Sequence, residues 1–319
     1  MRQILILLTL FLSACVGTDG QDDNNFVPFV PDMEMGADAD MPLAGDMDPA
    51  DLPDVLPDQD TSPDMTDMPP ADMPDMGDMP DDMTPGVCSP NLDGQITQAE
   101  VPTMTGAFAT YRVATDATVS TAGEAAMGGQ RLWDLTGRLA GDRRLLVEAQ
   151  DPTGRWFSTD FPDASYVARL SETSDLLGIF KIGQDELLLL GVASPAQGFT
   201  STRLKYNPPV VTLKYPLTKG ATWSTEAVVS GSAQGFPVAY RETYSSQVDA
   251  EGRMKTPYAE FPVLRVRTDL TRVVGFSTTT VRTYIFAAEC FGSVATITSQ
   301  DNEDEVEFTS AKEVRRLAP

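Results

Sequence analysis

Between Asp19 and Gly86 the chain carries 20 acidic residues, no Lys or Arg, 12 Pro and 10 Met, and after Phe29 it has no aromatic residue until Phe108. Such a stretch cannot bury enough apolar surface to offset the entropy of ordering it, so it is expected to stay disordered and leave the folding to the residues after Gly86. Of the 47 acids in the chain, 27 lie from Val87 onward, where 22 bases oppose them. That segment therefore carries a net charge of only −5 of the total −24. The extreme acidity belongs to a tether and not to a head. Nucleic acid is an unsuitable partner for such a chain, because phosphate binding needs a basic stripe and the one polyelectrolyte here has the wrong sign.

In Asp72-Met73-Pro74-Asp75-Met76-Gly77-Asp78-Met79-Pro80-Asp81 acids and methionines each recur every three residues. Polyproline II has three residues per turn, so Asp would line one edge and Met another. Seventy-two residues separate Cys15 from Cys88. A flexible coil of that length spans roughly 45–50 Å and an extended one reaches roughly 220 Å. Repulsion among the acids favours the longer form, which reads as a hydrated stalk. Thioethers also suit Cu(I), and Met33/Met35, Met65/Met68 and Met73/Met76/Met79 have the close spacing of methionine-rich copper-binding segments. Copper binding by these methionines is therefore one alternative reading.

Ahead of the tether, Arg2 and the apolar run Ile4 to Leu12 have the form of a short secretory signal. The run is too short for a permanent span, which needs about 20 apolar residues. It ends in Leu12-Ser13-Ala14-Cys15, which resembles a bacterial lipobox. An ordinary signal peptide with a chance Cys is the alternative. The resemblance implies cleavage before Cys15, acylation of its sulfur and anchoring to a membrane. Val16, in place of the Asp associated with inner-membrane retention, resembles the pattern sorted to the outer membrane. The expected organisation is a signal peptide over 1–14, a lipidated Cys and disordered linker over 15–86, a loop and turn over 87–103 and a β-rich head over 104–319.

The run from Cys88 to Glu100, aligned on Gly94, resembles a single EF-hand calcium loop. Ser89, Asn91 and Asp93 take its first, third and fifth positions, the carbonyl of Gln95 the seventh, Thr97 the ninth and Glu100 the twelfth. Calcium takes six to eight oxygens, the Gly allows the sharp turn, and the terminal Glu can give two oxygens. Ser89 replaces the usual Asp, and Pro102 limits the exiting helix to about one turn. The resemblance therefore implies weak, millimolar-range calcium binding. Equally consistent is an Asx-type turn at Asn91-Leu92-Asp93-Gly94, followed by a short helix with Thr97 and Glu100 as its capping box.

With Cys15 consumed by lipid, Cys88 and Cys290 remain in an oxidising compartment and are expected to pair, two free thiols or an intermolecular bond being the alternative. From Gly106 onward the pattern is strand and turn. Leu264 and Val266 alternate with Arg265 and Arg267; Tyr284, Phe286, Ala288 and Cys290 share a parity; Val294 with Thr296 and Val306 with Phe308 continue the period of two. Turns are expected at Ala140-Gly141-Asp142, Gly183-Gln184-Asp185, Asn207-Pro208-Pro209, Ala250-Glu251-Gly252 and 301–304, and short helical pieces near 120–130 and 166–177. About a dozen strands imply a mainly β fold, an antiparallel sheet forming a half-open barrel or a sandwich.

The run Tyr215-Pro216-Leu217-Thr218-Lys219-Gly220-Ala221-Thr222-Trp223 resembles a Pro-Leu-x-x-Gly-x-x-Trp turn of secreted bacterial β proteins. Thr256-Pro257 before Phe261-Pro262-Val263-Leu264-Arg265-Val266 is similar to the strand that comes after it there. The resemblance implies architecture alone, with Trp223 as a packing residue. The chain has no His, which removes triads of the usual kind and His-bearing zinc sites, so no enzymatic activity is expected. The leading expectation is an anchored structural or binding head. A curved antiparallel sheet also resembles lipid-shuttling half-barrels, and a carrier of lipid or another apolar ligand would need an open cavity of several hundred cubic ångströms.

Overall fold

The computed structural model describes residues 88–319. The expected signal sequence, lipobox, acidic tether and its methionine groups lie outside the described residues. Sixteen strands follow in chain order: β1 (Gln95–Ile96), β2 (Phe108–Thr118), β3 (Glu124–Ala125), β4 (Arg131–Asp134), β5 (Arg143–Glu148), β6 (Tyr166–Arg169), β7 (Leu177–Ile182), β8 (Glu186–Ala193), β9 (Arg203–Lys214), β10 (Leu217–Thr218), β11 (Thr222–Ala233), β12 (Phe236–Lys255), β13 (Glu260–Val274), β14 (Ser277–Ala288), β15 (Gly292–Ser299) and β16 (Ser310–Leu317). The described residues contain no α-helix.

Twelve of these strands pair in the order β5-β2-β16-β15-β14-β13-β12-β11-β9-β8-β7-β6, every pair antiparallel. The two edges then meet at one bridge, where Gln150 and Val167 exchange hydrogen bonds of 2.8 and 2.9 Å. The sheet is thus nearly closed into a barrel, which removes most of the exposed edge that an open sheet would present. The sandwich alternative does not hold.

Tyr206, Tyr244, Leu270, Arg272, Val281 and Thr283, from β9, β12, β13 and β14, surround one cavity of about 150 Å³ together with Leu170, which lies just past the far edge strand β6. This face is the barrel interior. Its middle is polar: Arg272 pairs with the fully buried Glu242 at 2.6 Å, and the Tyr244 hydroxyl donates to the same carboxylate. Burial, reinforced by the neighbouring Glu242 charge, holds the Tyr244 hydroxyl well above its ordinary pKa.

The alternation of Leu264 and Val266 with Arg265 and Arg267 is observed, but Arg265 is buried as they are and Arg267 is half-buried. The outer face of β13 to β16 is covered by the strap 119–139, which brings Trp133 edge-on to Phe286 at 5.0 Å. Trp133 Nε1 donates to the Thr121 carbonyl at 2.8 Å, and Arg265 Nη1 donates to the same oxygen at 2.6 Å. Arg265 also pairs with Asp249 at 2.9 Å and Glu307 at 2.7 Å, and lies 4.2 Å from the centre of the Tyr284 ring. A buried guanidinium is tolerated because its charge and donors are matched on every side. At the end of the strap the fully buried Arg316 pairs with Asp142 and donates to the Gly137 carbonyl.

Several sequence expectations require correction. Asn207-Pro208-Pro209 lies inside β9, where it interrupts the pairing with β8 between Lys205 and Val210 without ending the strand. Ala250-Glu251-Gly252 lies inside β12, after a bulge between Val248 and Ala250. Gly252 serves close approach: β4 runs parallel beside it, and an added Cβ would lie 1.9 Å from the Arg131 carbonyl oxygen. The 166–177 segment is a strand followed by a loop, and the helical character near 120–130 is one 3-10 turn at Met127–Gly129. Val306 is exposed and Phe308 buried, with no strand at either. Cys290 sits in the turn after β14, outside the strand that carries Tyr284, Phe286 and Ala288.

Candidate functional site

Because strand direction alternates, the connections divide between two ends of the barrel. Residues 88–105 enter at the end that also carries the β9–β11, β12–β13 and β14–β15 connections. Both sequence motifs lie there. Gln95–Ile96 pairs with Leu217–Thr218, so the eighth position of the calcium-like loop rests on the Leu of the Pro-Leu-x-x-Gly turn. Ile96 and Leu217 are buried together with Val248, Leu264 and Val266 and plug this end of the interior. Trp223 packs against the same cluster and donates its N–H to the Val211 carbonyl at 3.0 Å.

The loop residues are drawn together as their spacing suggests. Asn91 Oδ1 accepts the Asp93 N–H at 2.9 Å and Asp93 Oδ1 accepts the Gln95 N–H at 2.8 Å, two successive Asx-type turns. Gly94 comes next at φ +83°, a conformation that costs glycine little. Glu100 returns one carboxylate oxygen to the Thr97 N–H at 2.7 Å, forming the expected capping box. Its other oxygen accepts from Asn91 Nδ2 at 2.9 Å, while Asp93 Oδ2 stands 3.4 Å from the same nitrogen. The turn and capping-box arrangement is the one formed, with the Asn91 amide donor placed between two carboxylates. For Asn91 to offer its oxygen beside Asp93 and Glu100 the amide would have to turn over and give up the Asp93 N–H bond. Ser89 and Gln95 are exposed and make no side-chain hydrogen bond into this cluster.

Cys88 and Cys290 form a disulfide, as expected from the cysteine count. Sequence reasoning does not find its neighbour Glu289, whose carboxylate accepts the N–H groups of Asn91 and Leu92 at 2.7 and 3.1 Å. Cys290 N–H in turn donates to the Glu100 carbonyl at 2.7 Å. The loop is thus held covalently and by three further bonds to one turn.

Beside it lies an open groove of about 630 Å³. Phe261, Val263 and Leu264 contribute buried side chains, and Leu92, Tyr258 and Phe291 stand exposed at the rim. Tyr258 stacks on Phe261 at 6.3 Å, and Phe291 meets Phe261 edge-on at 4.8 Å. Glu251, Glu289 and the Arg253–Glu260 pair add charge to the lining. This geometry can take a slender apolar group with a polar head left in water. Phe291 comes from a different turn than Tyr258 and Phe261, so no single sequence spacing announces the three.

No family model matches the chain, and no curated protein matches it. Among solved structures, a Parabacteroides distasonis protein whose description contains the word lipoprotein is similar in part, at 12% identity and TM-score 0.32, over 68% of this chain and 95% of that one. A likeness that low carries no argument about this chain.

Proposed function

We propose that the chain is a non-catalytic cell-envelope lipoprotein, held by lipid at Cys15, whose tether presents the barrel as a binding head. The observation that carries the reading is the pairing of Cys88, the first described residue, with Cys290, because it staples the point of chain entry to the barrel next to the groove. Palmitate labelling of growing cells tests the anchor: a labelled, membrane-retained product that accumulates as precursor under globomycin supports it. An unlabelled product released to the medium contradicts it.

A second reading, binding of a lipid or other apolar ligand, is favoured by the groove and not by the interior. The interior cavity of about 150 Å³ is too small for an acyl chain, whereas the groove of about 630 Å³ is in the range of ligand sites. Native mass spectrometry of membrane-purified protein should show an apolar adduct that Phe291→Glu abolishes. An adduct insensitive to that change contradicts the assignment. Calcium at Asn91, Asp93 and Glu100 would brace the groove wall through Leu92, and with two carboxylates the affinity expected is millimolar. A calcium-dependent rise in melting temperature that disappears in Asp93→Asn is the expected outcome.

A further inference from the structure

The opposite end of the barrel, formed by the β8–β9, β11–β12 and β13–β14 connections, ends in three exposed phenylalanines. Phe199, Phe236 and Phe276 have relative exposures of 97%, 64% and 108%. Each comes directly after a glycine: Gly198-Phe199, Gly235-Phe236 and Gly275-Phe276. The tips are neighbours. An added Cβ on Gly235 would lie 2.4 Å from the Phe199 carbonyl, and β12 and β13 are paired as far as Arg241 and Val273. That last pair is five residues short of Phe236 and three short of Phe276, so the two rings stand within about two residues, roughly 7 Å, of one height.

The chemistry of the three hairpins is neutral, and Asp175 of the β6–β7 connection stands beside two of them. Stretches 194–202, 232–240 and 273–281 contain no charged residue, only small, amide, hydroxyl and apolar groups. Beyond these stretches the flanking arginines stand in ion pairs, Arg203 with Asp160, Arg241 with Glu226 and Arg282 with Asp269, while Arg272 lies inside the barrel on Glu242. The order along the axis is therefore ring, largely neutral collar, ion pairs. That order fits a bilayer surface in which rings enter at the acyl and glycerol level and paired charges stay out at the level of the phosphates and headgroups. The acidic loop 301–305 sets the depth limit, because Asn302 hydrogen-bonds Thr280 in both directions, about four residues or 13 Å below the Phe276 tip.

We propose that the three Gly-Phe tips form a membrane-touching fringe that enters the interface of a phospholipid bilayer. A deformable lipid surface accepts three separate rings without a matching cavity, whereas a protein partner would need a pocket for each. Insertion through rings and not charge implies binding to neutral lipid, little changed by salt, since the chain as a whole is acidic. The tips lie at the end of the barrel remote from Cys88, so the fringe is a second membrane contact, separate from any acyl chain at Cys15.

Vesicle flotation tests this with the full-length chain carrying Cys15→Ser, which has no acylation site. With phosphatidylcholine–phosphatidylethanolamine vesicles the chain should float, equally at 0.1 and about 0.5 M salt. Phe199→Ser/Phe236→Ser/Phe276→Ser should lower partitioning about 100-fold, and each single change about fivefold. Phe276→Trp should retain binding and show quenching by brominated lipid beyond that of the parent. Failure of the parent to float, equal flotation of the triple variant, or loss of binding at high salt overturns the proposal. A concentration-dependent dimer that the triple variant loses, with no vesicle binding, also overturns it and assigns the tips to a second copy.

Discussion

The two ends of the barrel solve opposite problems with the same antiparallel connections. At the entry end the chain is cross-linked at Cys88–Cys290, Ile96 and Leu217 plug the interior, and Glu289 ties down the Asn91 and Leu92 amides. At the remote end, hairpins run past the last paired residues of their neighbours and carry phenylalanines with almost nothing packed on them. The contrast separates residues that stabilise the head from residues available for contact. Ile96 and Leu217 at the first end are core, with Leu92, Tyr258 and Phe291 exposed at the groove beside them; Phe199, Phe236 and Phe276 at the second are surface.

Substitutions should divide along that line. The largest loss is expected for Leu217→Ala, which empties a fully buried site shared by two loops: about 3 kcal/mol in urea unfolding. A cost below about 1 kcal/mol would mean that the plug is not part of the core. Next, Cys88→Ser/Cys290→Ser should cost about 2–4 kcal/mol and leave the fold intact by circular dichroism.

Acid should act on the strap, away from both ends. Burial by itself raises the Glu307 pKa, but hydrogen bonds from Arg265 and Thr121 outweigh it and leave the carboxyl below its ordinary value. A depressed folded-state pKa contributes stability above the unfolded-state value, and that contribution is lost as pH falls through the folded value. Melting temperature should therefore drop on the acid limb, and Glu307→Gln should flatten that limb while lowering stability at neutral pH. An unchanged limb in the variant would remove Glu307 from the linkage. The smallest effect is expected at the remote end, where Phe276→Ser should change unfolding free energy by less than about 0.5 kcal/mol. A larger change would show that the tip is packed.

The sequence announces strands where parity separates buried from less buried residues, as at Tyr284, Ile285 and Phe286 in β14, and turns where Gly or Asp needs no partner from elsewhere, as at Gly141 and Gly183. It misleads where a local signal answers a distant contact. Gly252 reads as a turn but makes room for Arg131, which is 121 positions earlier in the chain. The parity of Arg265 and Arg267 reads as solvent-facing, yet the strap covers Arg265 and meets its charge with Asp249 and Glu307. At the candidate site, the spacing of Asn91, Asp93 and Glu100 is legible because one short loop sets it. The groove is not, since Leu92, Tyr258 and Phe291 meet only after three connections close on one another. The three Gly-Phe pairs are visible as dipeptides, but only strand direction puts them at one end.

Native-state hydrogen exchange, resolved by segment, tests the polarity of the two ends most directly. The amides of Ile96, Leu217, Val248 and Cys290 should exchange as slowly as those of β14, while those of Gly235, Gly275 and Phe276 exchange within seconds. Fast exchange at Ile96 and Cys290 together with protected hairpin tips would contradict it.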